Sequence, residues 1–504
     1  MSQTASHLSS EILISKLNEM RTFGGPAITS GLSDNVIEDF LDDYDALATA
    51  IDRAYDHFND VRDVYPEFLA LGEVDQIREA QDGYTNFYSE DAVNPYIAAS
   101  AAGPWIVSLK GAVIYDCGGY GMLGFGHAPE VVLDAMNQPH VMANIMTASI
   151  SQMEFVRCLR NEIGHSRDTG TPFVKFLCLN SGSEATTMAS RISDINTKNL
   201  TDPGARHAGR KVHGITLKGS FHGRTDRPAR YSDSTLRNYR KHLASYLDSD
   251  YLLTVEPNNI ESMEVAFAKA ERDSVFIEAF FMEPVMGEGN PGLAITADFY
   301  QRARELTKQH GSMLVIDSIQ SGLRAHGVLS IVDFPGFQHL EGPDMEAYSK
   351  AINGGQFPLS VLALSEKAAS IYRTGLYGNT MTSNPRALDV GMAVLQNFTP
   401  ALRENVRAQG AALLSGLQKL GQELGDAITA TEGTGLLLSC ELNQRYKCHG
   451  ANSTEDYLRR QGLGVIHGGT RSLRYTPHFA ISDKEIELII QLTRDALVRG
   501  PKLQ

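Results

Sequence analysis

Five groups of polar residues in the 504-residue chain directly follow short apolar runs. Ligands of open α/β sheets bind beyond the carboxyl ends of the strands, so polar residues in these positions are candidates for a common site. In chain order the groups are NSGSE (180–184), SFHGR (220–224), EPVMGEG (283–289), Asp317 and Lys350. We expect the fold to bring them together.

The first group, NSGSE, offers the chemistry of a phosphate site. Glycine and serine at the start of a helix leave backbone N–H groups and a hydroxyl free to bind an anion. A simple helix cap by Ser181 is the alternative. The pattern GxxxxGK[ST] does not occur in the chain, so this turn is not a nucleoside-triphosphate loop.

The acids and the aromatic residue also have two interpretations each. Asp317 ends the apolar run MLVI. A carboxylate buried there needs a cation or hydrogen-bond donors, whereas at a helix start it would only act as a cap. Phe221 can stack on a planar ligand or belong to the core. Glu283 and Glu288 lie in a Pro/Gly loop of the kind that carries sites, although solvated acids are common in such loops.

Lys350 stands in the stretch EAYSKAINGG (346–355), with no acid within three residues of it. A surface lysine in a turn is one interpretation. A buried amine is the other, and burial lowers its proton affinity and makes it a competent nucleophile and base. Gly354 and Gly355 suggest a close approach of the backbone to a ligand.

Together these groups suit pyridoxal 5′-phosphate. The glycine-serine turn would anchor the phosphate, and an ionised Asp317 would keep the pyridine nitrogen protonated, so that the ring acts as an electron sink. Phe221 would stack on the ring, and Lys350 would supply the reactive amine.

At these motifs the chain resembles the class III (ornithine aminotransferase-like) pyridoxal-phosphate aminotransferases of fold type I, as a divergent member with an N-terminal extension. The resemblance runs from about residue 103 to about residue 480. Residues 181–185 resemble the family's SGSEA turn, 221–225 its FHGRT motif and 283–288 its EPxxGE loop. Residues 317–322 resemble DEVQTG, 349–355 the SK…GG motif of the Schiff-base lysine, and 378–380 the GST motif.

The resemblance implies a role for each matching residue. Lys350 and Asp317 would be catalytic. The cofactor-binding residues would be Ser181, Gly182, Ser183, Phe221, His222, Glu283, Asp317, Ile319, Gln320, Lys350 and Thr380. Thr380 would reach the phosphate of the neighbouring subunit, which implies a homodimer with shared sites. The substrate-binding residues would be Tyr120, Arg224, Glu288 and Arg474.

These substrate residues bear on the reaction. Arg224 and Arg474 suit a dicarboxylic acceptor such as 2-oxoglutarate, because an arginine grips a carboxylate through two parallel hydrogen bonds. A mobile Glu288 would mask Arg474 while the ω-amine of ornithine, acetylornithine or lysine reacts. A structural salt bridge is the alternative for Arg474. The predicted enzyme is therefore a transaminase that acts through a Lys350 aldimine.

Three departures mark the chain as divergent, and other functions stay open. Ser318 replaces the usual glutamate after Asp317, Thr186 replaces a frequent asparagine, and 382–383 replace two glycines. Pyridoxal-phosphate racemases, decarboxylases and aminomutases share the scaffold and the lysine. A Rossmann-type nucleotide binder is disfavoured, because the glycine cluster at 118–121 lacks the GxGxxG spacing.

The elements that must position these residues follow from the apolar pattern. Apolar strands alternating with helices predict an α/β fold with a mostly parallel sheet covered on both faces. The resemblance implies a seven-stranded sheet in a large cofactor-binding domain over 146–385. A smaller α+β domain would comprise 96–145 and 386–504, with one internal strand in GTGLLLSCEL and a closing helix.

Residues 1–95 are predicted to form a helical extension. Apolar residues at three-to-four spacing predict one amphipathic helix over 35–61, and they are Ile37, Phe40, Leu41, Tyr44, Leu47 and Ile51. We expect no chemistry from the segment 1–90.

The composition of the chain limits the classes of molecule that it is expected to bind. Lys+Arg is 45 and Asp+Glu is 60, and the resulting formal charge of −15 disfavours nucleic-acid binding. The five cysteines form no CxxC pair, which predicts buried, reduced thiols in a cytoplasmic protein and no metal site. Neither a secretory signal nor an 18-residue apolar stretch is present, so no membrane partner is expected.

Overall fold

The computed structural model describes residues 9–118, 120–142, 146–247 and 250–503, and it begins with helices. These are α1 (Ser10–Thr22), α2 (Asp34–Leu41), α3 (Asp45–Val64), α4 (Pro66–Ala70) and α5 (Glu73–Ala80). The prediction of a single helix over 35–61 is wrong, because the helix is interrupted between α2 and α3. Tyr44 is extended there (φ −132°, ψ 94°). The break lets the rings of Phe40 and Tyr44 both pack against Trp105, at 5.0 and 6.3 Å between ring centroids.

The segment after the extension forms short strands and two helices. These are β1 (Ala98–Ala102), β2 (Trp105–Ser108), β3 (Val113–Asp116), α6 (Glu130–Met136) and α7 (Ile150–Glu162). The two short apolar runs in PWIVSLKGAVIYDCGG form β2 and β3. Helix α3 packs against β1 and β2, so the extension covers this small sheet.

The central part alternates strands and helices. Its elements are β4 (Lys175–Leu179), α8 (Gly182–Thr201), β5 (Lys211–Leu217), α9 (Asp226–Ala229), α10 (Asp233–His242), β6 (Leu252–Val255), α11 (Ile260–Arg272), β7 (Val275–Met282), α12 (Ala297–His310), β8 (Met313–Asp317), β9 (Met345–Tyr348), β10 (Ser360–Leu364) and α13 (Glu366–Ile371). They build a seven-stranded sheet in the order β4-β10-β9-β8-β7-β5-β6. Only β10 runs antiparallel to its neighbours, so the mostly parallel sheet is confirmed.

The C-terminal part contains more strands than its sequence predicted. Its elements are α14 (Pro385–Asn397), α15 (Pro400–Glu423), β11 (Ile428–Thr434), β12 (Leu437–Leu442), α16 (Thr454–Arg460), β13 (Leu463–Gly464), β14 (Ile466–Gly468), β15 (Ser472–Tyr475) and α17 (Asp483–Arg499). The expected single internal strand is therefore wrong. β11-β12-β15-β14 form an antiparallel sheet, and β13 pairs in parallel with β3. The missed strands are short or polar, and their pairing is long-range, so local periodicity does not show them. The domain limits at 95, 145 and 385 stay predictions.

The sheet positions the candidate residues along one edge. β4, β5, β7, β8 and β9 all point the same way, so their carboxyl ends meet there. Asp317, the last residue of β8, lies opposite Ala347 of β9, three residues before Lys350. Strands β7, β8 and β9 are buried along their whole length, which explains the mainly apolar pattern of β7 and β8.

Two general features complete the description. Among the described residues, no helix is long and apolar enough to cross a membrane. All five cysteines are free thiols, but Cys158 and Cys178 are partly exposed, so the prediction of buried thiols holds only for the other three.

Candidate active site

A cavity of about 160 Å³ lies at the carboxyl edge of the large sheet. Its lining residues are Ser181, Gly182, Ser183, Phe221, His222, Gly223, Glu283, Asp317, Ile319, Gln320, Ser349 and Lys350. All except Gly223 and Ser349 were candidates from the sequence. The groups that follow β4, β5, β7, β8 and β9 therefore converge as expected, because parallel strands end at one edge.

Lys350 follows β9 in a strained conformation. Its φ of 54° lies in the left-handed region, which costs a non-glycine residue about 1 kcal/mol or more. The preceding residue is fixed by the Ser349 hydroxyl, which donates to the Leu359 carbonyl at 2.9 Å. Strain held in place by its surroundings is typical of a functional position.

The Lys350 amine has no hydrogen-bond or ion-pair partner among the residues that the structure describes. Desolvation and, to a smaller extent, the positive charge of Arg474 lower the pKa of this amine to about 8 against the opposing effect of nearby carboxylates. The neutral, nucleophilic form is thus accessible near physiological pH. Lys350 is therefore partly buried and lines the cavity, and it does not lie on the open surface.

Gly354 and Gly355 do not line the cavity. A Cβ atom on Gly355 would lie 2.8 Å from Cδ2 of Leu123, and one on Gly354 would lie 3.4 Å from Cγ2 of Val394. Both glycines have positive φ angles of 58° and 71°. In the structure they serve the turn after Lys350 and its packing against neighbouring side chains, and their close approach to a ligand stays a prediction.

Asp317 is buried and held from two sides. His222 Nδ1 lies 2.8 Å from one carboxylate oxygen, and the Ile319 N–H donates to the other at 3.1 Å. His222 in turn places Nε2 3.1 Å from the Thr216 hydroxyl. These contacts supply the hydrogen bonds that a carboxylate needs when it ends a buried strand. They also fix its orientation towards the cavity.

Glu283 is the second carboxyl group of the cavity. Burial and, to a smaller extent, the nearby charge of Asp317 raise the pKa of Glu283 to about 8. Glu283 accepts hydrogen bonds from the N–H groups of Phe221 (3.2 Å) and Gly287 (3.1 Å), which oppose this rise. At neutral pH Glu283 is therefore mainly the neutral acid.

Helix α8 begins at the cavity with an anion-binding geometry. The Ser181 side chain caps the helix by accepting from the Glu184 N–H, so its alternative role as a cap is observed. The N–H groups of Gly182 and Ser183 have no acceptor within the described chain. A Cβ on Gly182 would lie 2.7 Å from Cδ1 of Ile319. The first turn therefore offers two free donors beside a wall that only glycine permits.

Arg474 lies beside the cavity and is fully buried. One of its nitrogens, Nη1, donates to the Gly287 carbonyl, to Glu288 at 3.2 Å and to Gln320 at 3.3 Å. Its Nε and Nη2 atoms have no partner among the described residues, although both are buried. A buried arginine with two free donors is costly unless a ligand satisfies them, so a structural salt bridge alone does not account for it. Tyr120 lies under the guanidinium, 5.3 Å from the ring centroid to Cζ.

The N-terminal segment contacts two of the predicted substrate residues, Tyr120 and Arg224, and the expectation that residues 1–90 carry no chemistry stays a prediction. The Tyr120 hydroxyl donates to that of Tyr88, and the two rings are stacked with centroids 6.2 Å apart. The ring centroids of the neighbouring Phe87 and of Phe221 each lie 5.5 Å from Cζ of Arg224. Two aromatic residues in a polar loop have no periodicity, so only their clustering in TNFYS was a signal.

Thr380 does not line this cavity and is exposed on the surface. Its neighbour Asn379 is anchored instead, because the Asn379 side chain donates to Glu184 at 2.8 Å and accepts from Asn180 at 3.1 Å. Asn379 therefore fixes the segment 378–380 to the start of α8. Its predicted contact with a neighbouring subunit stays a prediction.

Comparisons with known proteins agree with this geometry. The family model described as Aminotransferase class-III matches residues 87–497. The acetylornithine aminotransferase of Neisseria meningitidis serogroup B is 28% identical over 402 residues, which cover 78% of this chain and 92% of that protein. The acetylornithine aminotransferase of Xanthomonas campestris is 31% identical over 314 residues, which cover 62% of this chain and 71% of that protein.

Solved structures show the same fold. The ornithine aminotransferase from Toxoplasma gondii superposes with a TM-score of 0.71 at 21% identity, covering 87% of this chain and 98% of that one. The acetylornithine aminotransferase from Elizabethkingia anophelis gives a TM-score of 0.67 at 21% identity, covering 84% and 99%. The match of the family model begins at Phe87, whose ring lies 5.5 Å from Cζ of Arg224.

Proposed function

Because the chain belongs to the class-III aminotransferases, which use pyridoxal 5′-phosphate, we propose that it transfers the ω-amino group of an amino acid such as ornithine, acetylornithine or lysine to 2-oxoglutarate. The single observation that supports this choice of substrates is the environment of Arg474. This buried cation has two nitrogens, Nε and Nη2, without a partner among the described residues, and its third nitrogen is paired with the partly exposed Glu288.

The residues of the cavity fit the cofactor. The free N–H groups of Gly182 and Ser183, with the Ser183 hydroxyl, would hold the phosphate group. Asp317 would accept a hydrogen bond from the protonated pyridine nitrogen. Phe221 and Ile319 would pack against the two faces of the ring. When bound, the cofactor withdraws electrons from the carbon that bears the transferred amine, and this acidifies the proton on that carbon.

The chain's own residues would perform the proton transfers. The Lys350 Nζ atom would take the proton from the donor carbon and return it on the cofactor side, because its pKa of about 8 lets the same amine act as base and as acid. Asp317, oriented by His222, would hold its negative charge through both half-reactions. Glu283 in its neutral form would add no competing charge.

Arg474 and Glu288 would allow the site to bind the amino donor and the oxo acid in turn. In the observed arrangement Glu288 lies 3.2 Å from Nη1 of Arg474, so the cation is partly neutralised while an ω-amino group reacts. Moving Glu288 away would remove the competing carboxylate, and Nε and Nη2 of Arg474 would then bind a carboxylate of the oxo acid while Nη1 stays hydrogen-bonded to Gly287 and Gln320. Arg224, held between the rings of Phe87 and Phe221, would bind the other carboxylate. Curated relatives named acetylornithine aminotransferase support an ω-amino donor.

A homodimer with shared sites is part of this proposal. Thr380 is exposed and lies outside its own cavity, as a residue that completes a neighbour's phosphate site would. Exposed apolar side chains occur on the segments around α7 and beside Thr380, namely Val141, Met142, Ile150, Met153 and Met381. Light scattering after gel filtration tests the assembly, and a monomer that retains full activity would contradict it.

A panel of amino donors tests the reaction. Each donor is mixed with the cofactor-loaded protein in the absence of an oxo acid, and the change in cofactor absorbance is recorded. We expect ω-amino donors to convert the cofactor faster than their α-amino counterparts, and 2-oxoglutarate to reverse the change better than pyruvate. Glutamate must appear as product. A racemised, decarboxylated or rearranged donor without glutamate would instead show a different pyridoxal-phosphate reaction.

A further inference from the structure

A fully buried glutamate, Glu346, lies within β9. It is opposite Ile316 of β8, the strand that ends in Asp317, and it precedes Lys350 by four residues. Its carboxylate accepts three hydrogen bonds. The Ser318 hydroxyl and the Ile331 N–H donate to Oε1 at 2.6 and 2.9 Å, and the Ser330 hydroxyl donates to Oε2 at 2.6 Å.

The three donors bracket a single segment, residues 318–331. Ser318 begins it directly after Asp317, and Ser330 and Ile331 end it. The first residues of this segment, Ile319 and Gln320, line the cavity. One carboxylate therefore ties both ends of the segment to the strand next to it. Because all three partners are buried, water does not replace these hydrogen bonds if the carboxylate is lost.

The chain also differs from the family pattern at this place. Position 318 holds a serine where the DEVQTG motif has a glutamate, and the serine hydroxyl is bound by Glu346. A carboxylate from the neighbouring strand thus binds the side chain of the residue that follows Asp317. Burial raises the pKa of Glu346 to about 7 against the opposing effect of its hydrogen-bond donors.

We propose that Glu346 is a positioning residue that fastens both ends of segment 318–331 to β9 and so holds Ile319 and Gln320 against the cofactor. Glu346 acts through these two residues and touches no substrate. The inference rests on the proposed function only in taking the cavity as the pyridoxal-phosphate site.

Binding of pyridoxal 5′-phosphate to the full-length, cofactor-free protein tests this role. Absorbance titration gives the dissociation constant, and thermal unfolding of the cofactor-free protein gives its stability. We expect Glu346→Met, which has a similar shape but no acceptor, to raise the dissociation constant about tenfold or more. Glu346→Gln keeps an acceptor for the fixed Ile331 N–H, so binding should return to within about threefold of the wild type.

Asp344→Asn is the matched control. Asp344 precedes β9, is fully buried, and accepts from Arg304 and from the Leu314 N–H, each at 2.8 Å. It lies at the end of the strand away from the cavity. This variant should lower the unfolding temperature yet leave cofactor binding within about threefold. If Glu346→Met does not fold, Ser330→Ala removes one end of the tie, and we expect it to weaken binding about threefold.

If Glu346→Met folds and binds pyridoxal 5′-phosphate as tightly as the wild type, the inference is overturned. If Glu346→Met does not fold, the same result with Ser330→Ala overturns it. An equal loss of cofactor affinity in Asp344→Asn would also overturn it, since a general loss of stability would then explain the effect. A wild-type chain that binds no pyridoxal 5′-phosphate would refute the proposed function instead, so the two failures are distinguishable.

Discussion

The Nδ1 atom of His222 lies 2.8 Å from the Oδ2 atom of Asp317, and both side chains are buried. The pair joins the loop after β5 to the end of β8. It leaves the carboxylate fixed in direction, with hydrogen bonds on both oxygens. The first prediction follows from this pair.

Replacing Asp317 removes the negative charge that would stabilise the protonated ring. We expect Asp317→Asn to lower kcat/KM by about 100-fold or more, because a preorganised charge at a reacting centre contributes several kcal/mol. His222→Phe should cost about tenfold, since it removes one hydrogen bond to the carboxylate. Steady-state kinetics with the best donor measures both. Unchanged activity in Asp317→Asn would contradict the assignment.

The Lys350 amine should set the pH dependence of cofactor uptake. With its pKa lowered to about 8, the neutral fraction rises with pH below 8 and levels off above it. The rate at which the cofactor-free protein takes up pyridoxal 5′-phosphate should follow this fraction, as stopped-flow absorbance can show. Lys350→Ala should lose covalent uptake and turnover. A rate that still climbs steeply beyond about pH 9 would indicate an ordinary, solvated lysine.

The pair of Glu288 and Arg474 should control the balance between the two half-reactions. We expect Glu288→Gln to lower the KM for 2-oxoglutarate about threefold or more, because the Arg474 fork then meets no competing carboxylate. The same variant should slow the half-reaction with the ω-amino donor. Single-turnover measurements separate the two effects. Glu305→Gln, on the surface of α12, is the control, and equal behaviour of the two variants would argue against a switch.

Phe87 should orient Arg224 for its carboxylate. Removing one of the two rings that hold the cation costs about 0.5–1 kcal/mol at an exposed site. Phe87→Ala should therefore raise the KM for 2-oxoglutarate about two- to fivefold and change kcat less. Phe87→Tyr should restore binding. Tyr84→Ala, a loss of a similarly exposed aromatic residue nearby, should have no effect on KM, and the idea fails if both alanine variants behave alike.

Much of the large sheet was predictable, because β4, β7, β8 and β10 are mainly short apolar runs, whereas β9 carries a glutamate and gives no such pattern. That local pattern is sufficient to single out Asp317, Glu283 and the turn at Gly182. The cavity brings these positions together as expected. Their chemical roles stay predictions, since placement beside a cavity does not by itself test catalysis.

The extension and the C-terminal part were predicted less well. The periodicity over 35–61 continues across the break at Tyr44, so it does not show that two rings turn towards Trp105 there. The short strand β13 pairs with β3 from a distant part of the chain, which no local pattern reveals. Isolated aromatic residues such as Phe87 carry no periodic signal, although the Phe87 ring lies beside Arg224.

By itself, the sequence determined which residues end the buried strands and which of them have low-charge neighbours. These are local properties, since apolar runs and turn residues act over a few positions. Only the tertiary structure decided which polar atoms meet across strands. The hydrogen bonds of Glu346 to Ser318 and Ser330, and the unsatisfied donors of Arg474, depend on register and packing between segments far apart in the chain. Such contacts follow from the three-dimensional arrangement, because sequence periodicity carries no information on which strands become neighbours.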